Sequence, residues 1–103
     1  MEVKELIFPS EKDFYLKKIM RIQEKHLSIQ CGSVRLMKGQ ILPFKALDFH
    51  EISYLISGKL EVSTKGGGST IMNSGELIYL NKEEVRKTET LEDSKILYFL
   101  FSD

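Results

Sequence analysis

FHEISYLISG, residues 49–58, sets an imidazole and a carboxylate at the head of a β-prone run that a glycine closes. Side chains alternate across a strand, so Glu51, Ser53, Leu55 and Ser57 share one face, and Ile52, Tyr54 and Ile56 share the other. Two architectures fit this parity. If the sheet has one wet face, the even set packs inward and Glu51 faces water. If the strand belongs to a barrel with a partly polar lumen, Glu51 and Ser53 line a cavity, and the even set packs on a second layer or a subunit interface. A carboxylate in such a cavity loses solvation and needs a cation or a donor beside it. Groups of that kind mark candidate sites.

The surrounding sequence is that of an all-β domain. Turn signals recur at short intervals, at Gly32, Gly39, Ser57-Gly58, Gly66-Gly67-Gly68, Asn73-Ser74-Gly75 and Asn81-Lys82-Glu83. Between them lie short stretches rich in Ile, Val, Leu, Tyr and Thr, the signature of an antiparallel sandwich or barrel. The clearest strands are expected at 52–57, 59–64, 69–72, 76–80 and 95–101, with a further pair over 27–37. Residues 10–26 fit two forms. Ser10 and Asp13 resemble a helix capping box followed by Leu16, Ile19 and Met20 on one face, whereas Phe14-Tyr15-Leu16 and Ile19-Met20 also suit a strand paired with 27–34. The triple glycine has no Lys-Ser or Lys-Thr after it and a strand on either side, so it reads as a hairpin turn and not a phosphate loop.

Composition narrows the function classes. With 103 residues the chain holds one core. Its 15 basic and 15 acidic residues cancel, which removes the electrostatic attraction that drives non-specific binding to nucleic acid or to an anionic membrane. The single cysteine, Cys31, allows no intrachain disulfide and suits a reducing compartment. MEVKELIF lacks the apolar core of a signal peptide, and ILYFLF at 96–101 is too short to span a bilayer as a helix. A cytoplasmic protein binding neither nucleic acid nor membrane is the expectation.

Two motifs then resemble a known family. Glu51 with Gly58 seven residues on, and the run Gly75-Glu76-Leu77-Ile78-Tyr79-Leu80, look like the two motifs of the cupin β-barrel. LPFKALDFHEISYLISGKLEV at 42–62 and SGELIYLNKEEV at 74–85 are similar to the cupin domain of the ethanolamine-utilisation protein EutQ. The counterparts are Pro43, Phe44, Leu47, Phe49, Glu51, Ile52, Gly58, Gly75, Glu76, Leu80 and Lys82. The resemblance implies a single cupin domain over 1–103, with an arm at 1–13 and a small antiparallel jelly-roll barrel at 14–101. It favours a strand over a helix near 14–22 and turns Glu51 into the lumen.

Metal-binding cupins supply a His-x-His pair before the glutamate and a third histidine in the second motif. Here the first positions fall near Pro43 to Ala46, without histidine, and the third is Arg86. A first-row metal wants three or four converging N, O or S ligands, so no transition-metal cofactor is expected. His50 adjoins Glu51 on a strand and should point to the opposite face. Arg86 has two readings: an ion pair with Glu51 that closes the site, or, with Lys82, a grip on an anionic ligand.

The resemblance implies a EutQ-like cupin that binds a small molecule in the lumen, or an accessory protein, in ethanolamine or related amine metabolism. The expected ligand site is Glu51, Ser53, Phe49, Tyr79, Lys82 and Arg86. The alternative it implies is an acetate-kinase-like enzyme using ATP and magnesium, with Glu51 as catalytic residue. A further alternative is the ligand-sensing cupin of an arabinose-regulator-like transcription factor. Ile52, Tyr54 and Ile56, turned away from the lumen, predict a homodimer.

Overall fold

The computed structural model describes residues 1–11 and 13–102, and among them every regular element is a strand. There are seven: β1 (Leu16–Glu24), β2 (Leu27–Leu36), β3 (Ile41–Lys45), β4 (His50–Thr64), β5 (Ser69–Asn73), β6 (Leu77–Leu80) and β7 (Arg86–Ser102). All pairings are antiparallel, and they divide at the middle of the two long strands. The first half of β4 lies between β6 and the second half of β7, which continues to β2 and β1. The second half of β4 lies between β5 and the first half of β7, whose other edge carries β3. One sheet therefore rolls into two facing layers, with β4 and β7 passing through both.

Bulges make the roll. Register shifts in the β4–β7 ladder fall at Leu55/Ser57, Ser57/Lys59 and Lys59/Leu60. A bulge bends its strand and steepens the twist. Gly58 sits at this corner with φ of 107°, and a Cβ there would press on Asp93 O at 2.5 Å and Ser94 Cα at 2.6 Å. Two serines fasten it. Ser74 Oγ donates to Gly58 O and accepts from Gly58 N, both at 3.0 Å, while Ser94 Oγ accepts from Lys59 N at 3.2 Å.

The bend also resets side-chain parity. Before it, Ser53 and Leu55 are buried; after it, Leu60 and Val62 are. An odd face thus joins an even one to make a continuous inner wall, completed by Val34, Leu36, Met72, Ile96 and Tyr98. Leu36 and Leu55 are fully enclosed, each contributing about 1.5–3 kcal/mol by burial.

Several expectations are corrected. The stretches expected as separate strands at 52–57 and 59–64 are one strand, because Gly58 bends the chain without breaking it. The pair expected over 27–37 is the single strand β2, whose hairpin partner β1 settles residues 16–24 as strand and not helix. The last strand begins at Arg86, nine residues earlier than expected, because its polar first half finds partners in β3 and β4. Strand β3 had no periodic signal, since Pro43 interrupts it. The triple glycine closes the β4–β5 hairpin as expected, with Gly67 at φ 111°.

The N-terminal arm lies along the outer side of β2 and β7. Ser33 Oγ donates to Ile7 O at 2.5 Å, and Lys95 Nζ stands 5.3 Å from the Phe8 ring centroid. No described helix is long and apolar enough to cross a membrane.

Candidate functional site

Between the layers lies a cavity of about 210 Å³. Its walls are mostly Leu, Val, Ile and Met side chains, and its polar groups gather at Glu51, Ser53, Arg86, Lys45 and Thr88. Register explains the arrangement. Glu51 is level with Leu80 on β6 and Leu100 on β7, and Ser53 with Ile78 and Tyr98. Directly opposed residues point to the same face, so these six form two inward rows. Arg86 opens β7, and Thr88 follows it on the same face.

Glu51 accepts one hydrogen bond on each carboxylate oxygen. Its Oε1 accepts from Arg86 Nη2 at 2.7 Å, and its Oε2 accepts from Ser53 Oγ at 2.7 Å. The side chains of Arg86 and Glu51 are only 17% and 15% exposed, which shields the pair from most solvent screening. A guanidinium carries five N–H donors, and one of Arg86's is committed here.

Tyr98 lies deeper. Its hydroxyl accepts from Gln30 Nε2 at 3.2 Å, and its ring crosses Gly32, where a Cβ would meet the hydroxyl at 2.7 Å. Glycine at that point makes room for both the ring and the Lys17 carbonyl oxygen of β1. Burial pushes the Tyr98 hydroxyl above its ordinary pKa; the Gln30 hydrogen bond opposes this, and the negative charge of Glu51 adds to it.

The expected site residues separate into two groups. Glu51, Ser53 and Arg86 line the cavity, whereas Phe49, Tyr79 and Lys82 do not. Phe49 precedes β4 in a bend, so strand parity does not carry its ring inward. Tyr79 is level with outward-facing Ile52 and is 54% exposed. Lys82 sits in the turn after β6, with an exposed side chain. These three lie toward the outside, around His50. The His50 Nδ1 accepts from the Lys82 backbone N–H at 3.2 Å, and its ring lies 5.4 Å from that of Phe101. The Tyr79 hydroxyl donates to Asn81 Oδ1 at 2.7 Å. His50 therefore faces away from Glu51, as alternation requires.

Lys45, Thr88 and Tyr98 were missed as lining residues. The signal for Tyr98 was its parity with Ile96 and Leu100; for Lys45 it was its place between Pro43 and Leu47, which also line the cavity. A divalent metal does not fit this donor set. Glu51 is the lining's only carboxylate among the described residues, and the Arg86 guanidinium bonded to it at 2.7 Å would repel a cation beside it. Among those residues no three His, Cys, Asp or Glu side chains cluster as a metal site requires.

Comparison with known proteins identifies the family. The family model described as ethanolamine utilisation protein EutQ matches residues 2–103. The chain belongs to the EutQ family. Among solved structures, it is similar to the Clostridium difficile EutQ protein, with TM-score 0.70 and 22% identity over 85% of this chain and 67% of that one. It is also similar to a Salmonella typhimurium LT2 protein described as ethanolamine utilization protein q, with TM-score 0.64 and 19% identity over 72% of this chain and 58% of that one. An RmlC-like cupin with a double-stranded β-helix fold from Methanocaldococcus jannaschii aligns with TM-score 0.70 and 14% identity, over 99% of this chain and 89% of that one. At such identities the likeness concerns the fold, and this EutQ-family chain has the cupin double-stranded β-helix. No curated protein matches it significantly. The chain spans between about three fifths and two thirds of the two ethanolamine-utilisation structures.

Proposed function

We propose that this EutQ-family cupin binds a small molecule in its barrel, without a metal triad, and acts as an accessory protein in ethanolamine or related amine metabolism. The observation that carries the reading is the cavity of about 210 Å³ with a charged group, Glu51–Arg86–Ser53, and a wall that is mostly aliphatic. A cavity of about 150 Å³ lined by apolar residues takes up benzene, and drug-sized ligands need about 300 Å³ or more. This one suits a ligand slightly larger than a benzene ring. Acetate-kinase-like chemistry with ATP and magnesium would need donors for a triphosphate and oxygen ligands for the ion. Among the described residues the lining offers a single carboxylate, already paired with Arg86.

Methyl NMR of the lumen residues Leu55 and Leu60 tests the reading against small apolar and amphiphilic compounds. Shifts confined to the lumen support it. Turnover of acetyl phosphate and ADP with magnesium, abolished in Glu51→Gln, would replace it with the enzyme.

A homodimer in the cytoplasm belongs to the same proposal. Ile52, Leu77, Tyr79 and Phe99 are exposed on the outer face of one layer, where register places Ile52 between Tyr79 and Phe99. Exposed apolar faces favour association, which supports a second copy of the chain as the proposed partner.

A further inference from the structure

We propose that the barrel's ligand is a monocarboxylate with a compact apolar body, and that Lys45 binds its head group together with Arg86. The inference rests on the barrel-binding reading above and names the ligand class. Lys45 is level with Arg86 across the β3–β7 pair, and both line the cavity. Opposed residues share a face with their Cβ atoms about 5 Å apart, and like charges so placed destabilise a sheet. Two cations here face one carboxylate, and its direct ion pair is with Arg86: Glu51 bonds Arg86 with one oxygen and Ser53 with the other. Lys45 has no acidic partner among the described residues.

The cavity's charged end therefore carries one uncompensated positive charge and unused N–H donors on both cations. Its remaining wall, including Leu36, Leu55, Val62 and Met72, is mostly aliphatic, with Tyr15, Thr88 and Tyr98 as the exceptions. A single negative charge balances the end. A dianion would leave an excess negative charge beside Glu51, and an ammonium would add to the repulsion. Lys45 is exposed at the rim, so its ammonium stays hydrated until a ligand arrives, and the folded domain tolerates the uneven charge. Locally unfavourable arrangements of this sort are expected where a ligand completes the site.

Isothermal titration calorimetry on the full chain tests this with sodium hexanoate, 1-hexanol, hexylamine and hexyl phosphate. Hexanoate should bind, and hexanol and hexylamine at least tenfold more weakly, about the worth of one charge-assisted hydrogen bond. From butyrate to hexanoate, affinity should rise about fourfold per methylene. Lys45→Met should weaken hexanoate about tenfold and leave hexanol unchanged, a difference that general damage to the fold would not produce; Lys45→Arg should restore most of the loss. Equal affinity for hexanoate and hexanol, or a Lys45→Met variant that binds hexanoate normally, would overturn the carboxylate assignment while the barrel-binding reading stands. Tighter binding of hexyl phosphate would overturn the single-charge match. If none of the four binds and the lumen methyl signals do not move, both readings fall.

Discussion

Replacing Arg86 with methionine should cost about 2–4 kcal/mol of stability. Exposed ion pairs are worth about 0.2–1 kcal/mol, whereas removing one member of a buried pair costs about 3–5 kcal/mol because the other charge stays desolvated. The pair is 17% and 15% exposed and bonded at 2.7 Å, which places it near the buried limit. Its position at the cavity's polar end lets some water reach Glu51, which lowers the figure. For a domain of this size about 3 kcal/mol corresponds to a fall in Tm of roughly 12–24 °C. Adding Glu51→Gln to Arg86→Met should recover most of the loss, to within about 1 kcal/mol of wild type, because the amide oxygen still accepts from Ser53 and no charge remains buried. Urea unfolding of the two single variants and the double variant, with m-values compared, gives the coupling energy, expected at about 2–3 kcal/mol. A loss below about 0.5 kcal/mol in Arg86→Met, or single losses that simply add in the double variant, would show that the pair behaves as a solvated surface contact and would refute its place in an enclosed site.

Gly58→Ala combines strain at φ 107° with a clash against Asp93 and Ser94 and should cost about 3–5 kcal/mol in urea titration, against about 1–2 kcal/mol for Gly39→Ala, where φ is 90° and the surroundings are open. Burial holds the Tyr98 hydroxyl above the ordinary tyrosine value of 10.0, so the folded state keeps a proton that the unfolded chain releases. Stability from this group is intact below pH 10 and declines as pH rises past it; in Tyr98→Phe the alkaline decline should be shallower, and an unchanged slope would exclude Tyr98 as its source. Light scattering should give twice the monomer mass at micromolar concentration, and Leu77→Asp, on a residue 68% exposed, should give the monomer mass without lowering the monomer's intrinsic stability.

Much of this architecture was legible in the chain. Turn chemistry at Gly66-Gly67-Gly68 and Asn73-Ser74-Gly75 located the β4–β5 hairpin and the turn from β5 to β6, because glycine alone enters those backbone regions without strain. Alternation within 51–57 separated Glu51 and Ser53 from Ile52 and Tyr54. Strand parity also set His50 opposite Glu51, a purely local consequence of the pleat. The first half of β7 was not legible, since Arg86, Thr88 and Thr90 alternate with Lys87 and Glu89 and give no hydrophobic contrast. Its strand form comes from β3 and β4 on either side.

Local sequence thus determined where strands turn and which side chains share a face, since both follow from backbone sterics within a few residues. It left undecided which face is the inside. That required the second layer, because a face becomes interior only when another part of the chain covers it. The bulge at Gly58 joins the odd positions of one half of β4 to the even positions of the other, so no single alternation through 51–62 could have traced the wall. Only the folded sheet brings Arg86 to Glu51 across thirty-five residues and sets Lys45 beside them, because charge proximity between distant strands depends on register and not on spacing along the chain.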